Sequence, residues 1–136
     1  LGSYFIQLKA FSWPVLLLGL AIGLFSAAVL NLNNMRDRIN DGVVGKKTLV
    51  VLLGAKAAKR YHFILIGSAM LLITIVFLIT SCTFFWIPFI ALIPLIMHLI
   101  RIIKISDPKQ FDPELKKVAL STFFLSVLIF ITLLIG

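Results

Sequence analysis

Carboxylates are scarce in this 136-residue chain: five Asp plus Glu stand against 13 Lys plus Arg, and cysteine occurs once. One Cys forms no internal disulfide framework, which excludes the small stapled extracellular scaffolds. Charged residues make up only 13% of the chain and hydrophobic ones 61%, whereas a soluble globular domain runs near 45–50% apolar with about a quarter charged. An apolar excess of that size has no aqueous core to hide in, and it equally excludes disorder. Internal repeats and low-complexity stretches are absent. No basic start precedes an apolar stretch with a small-residue cleavage site, so no signal-peptide layout is expected. The opening LGSYFIQLKA is expected to be the tail of an earlier segment.

What the chain does have is long uncharged runs: Phe11 to Leu32 (22 residues), Phe63 to Ile100 (38) and Val118 to Ile135 (18). A helix rises about 1.5 Å per residue and a hydrocarbon core is roughly 30 Å thick. The first run is then one span, and the third suffices when extended back over Leu115. The second would measure about 57 Å as one helix and must turn back. Thr80-Ser81-Cys82-Thr83, followed by Phe84-Phe85-Trp86, is the place, because aromatic rings gather at the headgroup level. The expected fold is all-α, a polytopic transmembrane helix bundle with four spans at about 11–34, 60–79, 84–104 and 115–135, in a single region 1–136. Pro14 falls early in the first span, where its missing N–H costs little, while Pro88 and Pro94 should bend the third.

The connection 36–59, with Arg60 at its end, carries seven basic residues (Arg36, Arg38, Lys46, Lys47, Lys56, Lys59, Arg60) and two acids, and Arg101 to Lys117 carries five basic and three acidic ones. The bias of Lys and Arg toward cytoplasmic loops puts both segments in the cytoplasm, with Leu1, the Thr80 turn and Gly136 outside. A basic patch flanked by spans faces anionic headgroups or a soluble anionic ligand, so no nucleic-acid partner is expected.

No helix breaker occurs from Asn31 until Gly42, so helical phase carries through the motif Asn33-Asn34-Met35-Arg36-Asp37-Arg38-Ile39-Asn40-Asp41. A spacing of four is 400° of rotation, which stacks Asn33, Asp37 and Asp41 within about 80° on one face. Two carboxylates side by side repel, and a cation should offset that. Hard oxygen ligands suit Mg²⁺, usually held by one or two carboxylates together with substrate phosphates. The plainer reading is two solvated acids neutralised by Arg36 and Arg38 where a helix leaves the membrane. Against it stands the context: two of only five acids lie four apart at the membrane face, followed by Gly45-Lys46-Lys47-Thr48. A carboxylate pair with lysines is equipment for a magnesium diphosphate.

The lysine pair is not a nucleotide phosphate loop, because the glycine spacing is wrong, a Lys occupies the Ser/Thr place and a helix precedes it. His62 reads as an interfacial side chain and His98 with Arg101 as a snorkelling pair that could still line a site. Asp112 should cap the final helix with Pro113 at its first position, and structural roles suffice for Asp107 and Glu114. Cys82 has no basic neighbour and no assigned role. Tyr4 and Gln7 are secondary site candidates.

The run Asn33-Asn34-Met35-Arg36-Asp37-x-x-x-Asp41-x-x-x-Gly45-Lys46-Lys47-Thr48-Leu49-x-Val51-x-Leu53-Gly54, with Ala58-x-Arg60-Tyr61-His62 after it, is similar to the second aspartate motif of the 1,4-dihydroxy-2-naphthoate polyprenyltransferases of menaquinone synthesis. These belong to the intramembrane aromatic prenyltransferase superfamily. Gly2-Ser3-Tyr4-x-x-Gln7 resembles the end of the preceding span in that family. Lys47 and Leu52 stand where many members have Arg.

The resemblance implies a nine-span fold with two facing aspartate motifs, of which this chain would be the C-terminal half, lacking the first motif. It further implies a bacterial inner-membrane enzyme that moves a polyprenyl group from its diphosphate to 1,4-dihydroxy-2-naphthoate, giving demethylmenaquinone. Asp37 and Asp41 would share Mg²⁺ as catalytic and metal-binding residues. Asn33, Arg36, Lys46 and Lys47 would bind diphosphate. Expected partners are the two substrates, membrane lipid and the missing N-terminal half, and the chain alone is expected to be inactive. A competing reading is a small four-span binding or assembly subunit, or part of a cation transporter. Against it, none of the three apolar runs contains an acid.

Overall fold

The computed structural model of the chain describes residues 2–80, 84 and 86–135. Ser81, Cys82 and Thr83, central to the expected outer turn, lie outside the described residues. The elements are helices α1 (Gly2–Leu8), α2 (Trp13–Val43), α3 (Leu49–Thr80), α4 (Trp86–Phe89), α5 (Ile93–Lys104) and α6 (Phe111–Ile135), with 3-10 turns at Ile90–Leu92 and Pro108–Gln110. The architecture is all-α, with no strand among the described residues. Four stretches are long and apolar enough to cross a membrane: Trp13–Val43, Leu49–Thr80, Trp86–Lys104 and Pro108–Ile135.

Local chemistry explains the boundaries. Ser12, in extended backbone, accepts from Val15 N at 3.5 Å and Pro14 occupies the first turn, where no N–H is needed. Prolines break the third crossing into α4, a 3-10 turn and α5, with Pro94 opening the last piece. The connection read from sequence as 36–59 is mostly helix, with only residues 44–48 between α2 and α3. Within α3 the helix is interrupted at Gly54 (φ 76°, ψ 168°), a region almost closed to residues with a Cβ. The long straight part of α3 therefore begins at Ala55.

The core is a set of seams. Buried residues of α2 recur as Ala21, Phe25, Ala28, Leu32 and Met35, alternating by four and three, and α3 answers with Ala58, His62, Leu65, Ala69, Ile73 and Val76. That spacing keeps one stripe of each helix toward its neighbour, and the alanines allow close approach. Asn31 Nδ2 donates to the Ala58 carbonyl across this interface at 3.1 Å. α6 packs on α2 and α5 through Val118, Leu125 and Ile129. Only 28–33% of the most apolar stretch of each span is buried, so the remaining apolar faces need lipid or further protein around them.

One polar network crosses the bundle. His62 Nε2 and His98 Nε2 are 2.8 Å apart, and His98 Nδ1 lies 2.6 Å from Glu114 Oε2. Glu114 Oε1 accepts from Lys117 Nζ at 2.8 Å, with Arg101 Nε at 3.3 Å. His62, His98 and Glu114 are fully buried. Thus His62 is not interfacial, and His98 does not snorkel beside Arg101, because the Glu114 carboxylate draws its ring inward. The network joins α3, α5 and α6.

Two stability outcomes follow from these contacts. Glu114→Ala leaves Lys117, His98 and Arg101 without their shared acceptor and should lower stability by about 3–5 kcal/mol, as for other broken buried pairs. Denaturant unfolding in mild detergent measures it, and a loss below about 1 kcal/mol would contradict the role assigned to the network. Gly54→Ala should cost about 1–3 kcal/mol for its backbone region, whereas Gly67→Ala, in ordinary helix with open space at its Cβ, should be neutral or slightly stabilising. Equal effects at both glycines would refute the break as a requirement of the fold.

Candidate functional site

Helix α2 has 31 residues, about 46 Å of rise, while the hydrocarbon core takes up roughly 20 residues. Its last three turns therefore extend beyond the apolar stretch, and they carry Asn33, Arg36, Asp37 and Asp41. The helix runs one residue past Gly42 and stops at a glycine cap. Gly45 has φ 74°, Lys46 N donates to the Asp41 carbonyl at 2.8 Å and Gly45 N to the Gly42 carbonyl at 3.2 Å, the paired bonds of a Schellman ending. Thr48 then caps α3, its Oγ1 accepting from Val51 N at 3.2 Å.

The cap shapes the site. Turning the chain back at Gly45 brings Lys46 Nζ to 3.2 Å from Asp41 Oδ1. The Asp41 carboxylate is buried, and its Oδ2 has no hydrogen-bond partner. An acceptor removed from water without a partner costs about 1–3 kcal/mol, which a cation at Oδ2 would relieve. Lys47 is exposed and enters no ion pair among the described residues.

Arg36 organises the other end of the motif. Its Nε donates to Asp37 Oδ1, and its Nη2 to Asp37 Oδ2 and Asn33 Oδ1, all at 2.8 Å; Nη1 donates to Asp112 Oδ1 at 3.0 Å. Asn33, Arg36 and Asp37 thus form one cluster and Asp41 with Lys46 a second, one helical turn apart on the same face. Asp112, expected as a helix cap, instead sits in the first turn of α6 and holds Arg36. The capping carboxylate is Asp107, whose Oδ1 accepts from Lys109 N at 3.0 Å at the 3-10 turn. Asp112 was missed as a site neighbour because 76 residues separate it from Arg36 and no periodicity links them. Tyr4 and Gln7 lie on α1, which contributes no buried residue.

Among the described residues no three His, Cys, Asp or Glu side chains converge on a ready-made metal cage. Mg²⁺ does not need one, since it commonly takes one or two carboxylates and completes its shell with water and substrate phosphates. The buried, unpartnered Oδ2 of Asp41 and the carboxylate of Asp37 on the same face are oxygen donors of that kind. Chemically, this end of α2 can hold a hard cation and, through Lys46 and Lys47, an anion beside it.

Comparison with known proteins agrees with the sequence motif. The chain is 32% identical over 136 residues to a 1,4-dihydroxy-2-naphthoate octaprenyltransferase of Haemophilus influenzae, covering 99% of this chain and 44% of that protein. It is likewise 32% identical over 118 residues to the protein of the same name from Escherichia coli, covering 86% of this chain and 38% of that protein. The chain spans less than half the length of either relative. No solved structure is a significant match. The UbiA prenyltransferase family matches residues 1–134, which takes in the first three spans, all but the last residue of the fourth and the whole stretch that builds the carboxylate face of α2, and the chain belongs to that family.

Proposed function

We propose that this chain is the C-terminal half of a bacterial inner-membrane enzyme that transfers a polyprenyl group from its diphosphate to 1,4-dihydroxy-2-naphthoate. The allylic C–O bond breaks and releases diphosphate. The prenyl carbon bonds to the ring carbon that loses its carboxylate as carbon dioxide, which gives demethylmenaquinone in its quinol state. The observation that carries this reading is the pair of acid clusters on the overhanging end of α2, with Lys46 turned back onto Asp41, in a chain similar to two named octaprenyltransferases.

Asp37 and Asp41 are the residues that would hold Mg²⁺, and the ion, when bound, supplies neutralisation of diphosphate charge. Lys46 and Lys47 face the same charge from the connection between α2 and α3. Asn33 orients the Arg36 guanidinium, which in turn fixes the Asp37 carboxylate. The apolar spans below exclude water, so an allylic cation is captured by the aromatic acceptor before it is hydrolysed. The motif end of α2 faces the cytoplasm by its excess of Lys and Arg.

In the intact protein, Asp37→Asn and Asp41→Asn should each lower turnover at least about 100-fold, the effect of losing roughly 3 kcal/mol of charge stabilisation at the leaving group. Helix content should be unchanged. Near-normal turnover in either variant would sink the assignment, and cation flux without Mg²⁺-dependent affinity for a prenyl diphosphate would favour a transporter. A diphosphate with up to three negative charges needs more than one such motif, so the chain alone should be inactive and should regain turnover when the N-terminal half is co-expressed. Robust turnover by the chain alone would refute that division of the site.

A further inference from the structure

A second polar feature lies on another face of the same helix end. A cavity of about 560 Å³ opens between α2, the start of the long part of α3, and the connection from α5 to α6. Its walls carry Arg38, Lys56, Lys59 and Arg60 together with Phe63 and Phe111. At about 100° per residue, Arg38 is rotated about 100° from Asp37 around α2, and none of Asn33, Asp37, Asp41, Lys46 or Lys47 lines the cavity.

The counter-charge for this cavity does not come from the chain. All five acids have partners elsewhere: Asp37 and Asp112 on Arg36, Asp41 on Lys46, Glu114 among His98, Arg101 and Lys117, and Asp107 at the backbone of Lys109. Lys59 Nζ donates to the carbonyls of Ile103 and Ile105, closing the end of α5 against α3. Arg38, Lys56 and Arg60 make no ion pair among the described residues. Three uncompensated cations lining one cavity with two aromatic side chains, at the end of α2 that runs past its apolar stretch, match an anionic headgroup whose chains continue into the bilayer. An inorganic anion would be served by the cations and would gain nothing from Phe63 and Phe111, whereas acyl chains would.

We propose that this cavity is a binding site for an anionic glycerophospholipid, with its phosphate among Arg38, Lys56 and Arg60 and its acyl chains along Phe63 and Phe111. The site is separate from the carboxylate face and does not rest on the reaction assigned above. Basic pockets between spans on the cytoplasmic side are suited to such headgroups, each Lys or Arg contributing about a fivefold gain in affinity.

The test is lipid retention by the intact protein, purified in mild detergent, exchanged against phosphatidylglycerol or phosphatidylcholine, and read by native mass spectrometry. Phosphatidylglycerol should be retained preferentially, and Arg38→Gln/Lys56→Gln/Arg60→Gln should lower its retention at least about tenfold. Lys116→Gln, an exposed cation outside the cavity, should leave it unchanged. Should the triple variant lose helix content, Lys56→Glu, at an exposed position, replaces it with an expected loss of about fivefold or more. Equal retention of the two lipids, or unchanged retention in the variants, overturns the site. Protection of Lys56 from acetylation by sodium diphosphate, with no phosphatidylglycerol retained, assigns the cavity to a soluble anion and overturns the lipid.

Discussion

The thickness of a bilayer governs this structure. A hydrocarbon core of roughly 30 Å accepts about 20 residues of helix, and α2 has 31, so its polar end has to stand in the headgroup zone. Because that overhang stays helical, Asn33, Asp37 and Asp41 keep a common face that a loop would not preserve. The Gly45 cap then fixes where the chain goes next and returns Lys46 to Asp41. On the other side of the connection, the break at Gly54 separates residues 49–53 from the rest of α3.

Scarcity of acids is the second constraint, and it sorts the molecule electrostatically. An uncompensated charge inside a span is expensive, so Glu114, fully buried, is surrounded by His98, Lys117 and Arg101. Asp112 ties the start of α6 to α2 through Arg36. With the acids committed to these joints and to the carboxylate face, cations remain in excess at this end of the bundle. One face of α2 thus carries paired carboxylates, while another, at Arg38, carries only positive charge.

Much of this was legible before the structure. Span number followed from the lengths of the uncharged runs, the broken third crossing from Pro88 and Pro94, and the shared face of Asp37 and Asp41 from the absence of a breaker between them. The motif through Gly54 carried the family. What could not be read is long-range or conformational. Arg36 and Asp112 meet across 76 residues and His62 and His98 across 36, and neither pairing leaves a periodic trace. Gly54 sits in an apolar helical pattern where a lone glycine ordinarily stays helical, so its positive φ was invisible. Glu114 read as an acid with a structural role at the start of the last helix, and its bond to His98 on another helix left no trace in the spacing.

The two carboxylates of the motif are not equivalent, and the difference constrains how a cation is taken up. Asp41 has one oxygen on Lys46 and the other buried without a partner, so a cation would reach it only if its surroundings opened. Asp37 has both oxygens on Arg36, each with a lone pair to spare, so a cation there would share the carboxylate with the guanidinium. Arg36 has further partners in Asn33 and Asp112. Asp112 belongs to α6, so its bond to Arg36 crosses from one helix to the other. The carboxylate face is in this way mechanically joined to the last helix of the bundle, through a single arginine that sequence spacing placed beside Asp37 and the fold placed beside Asp112.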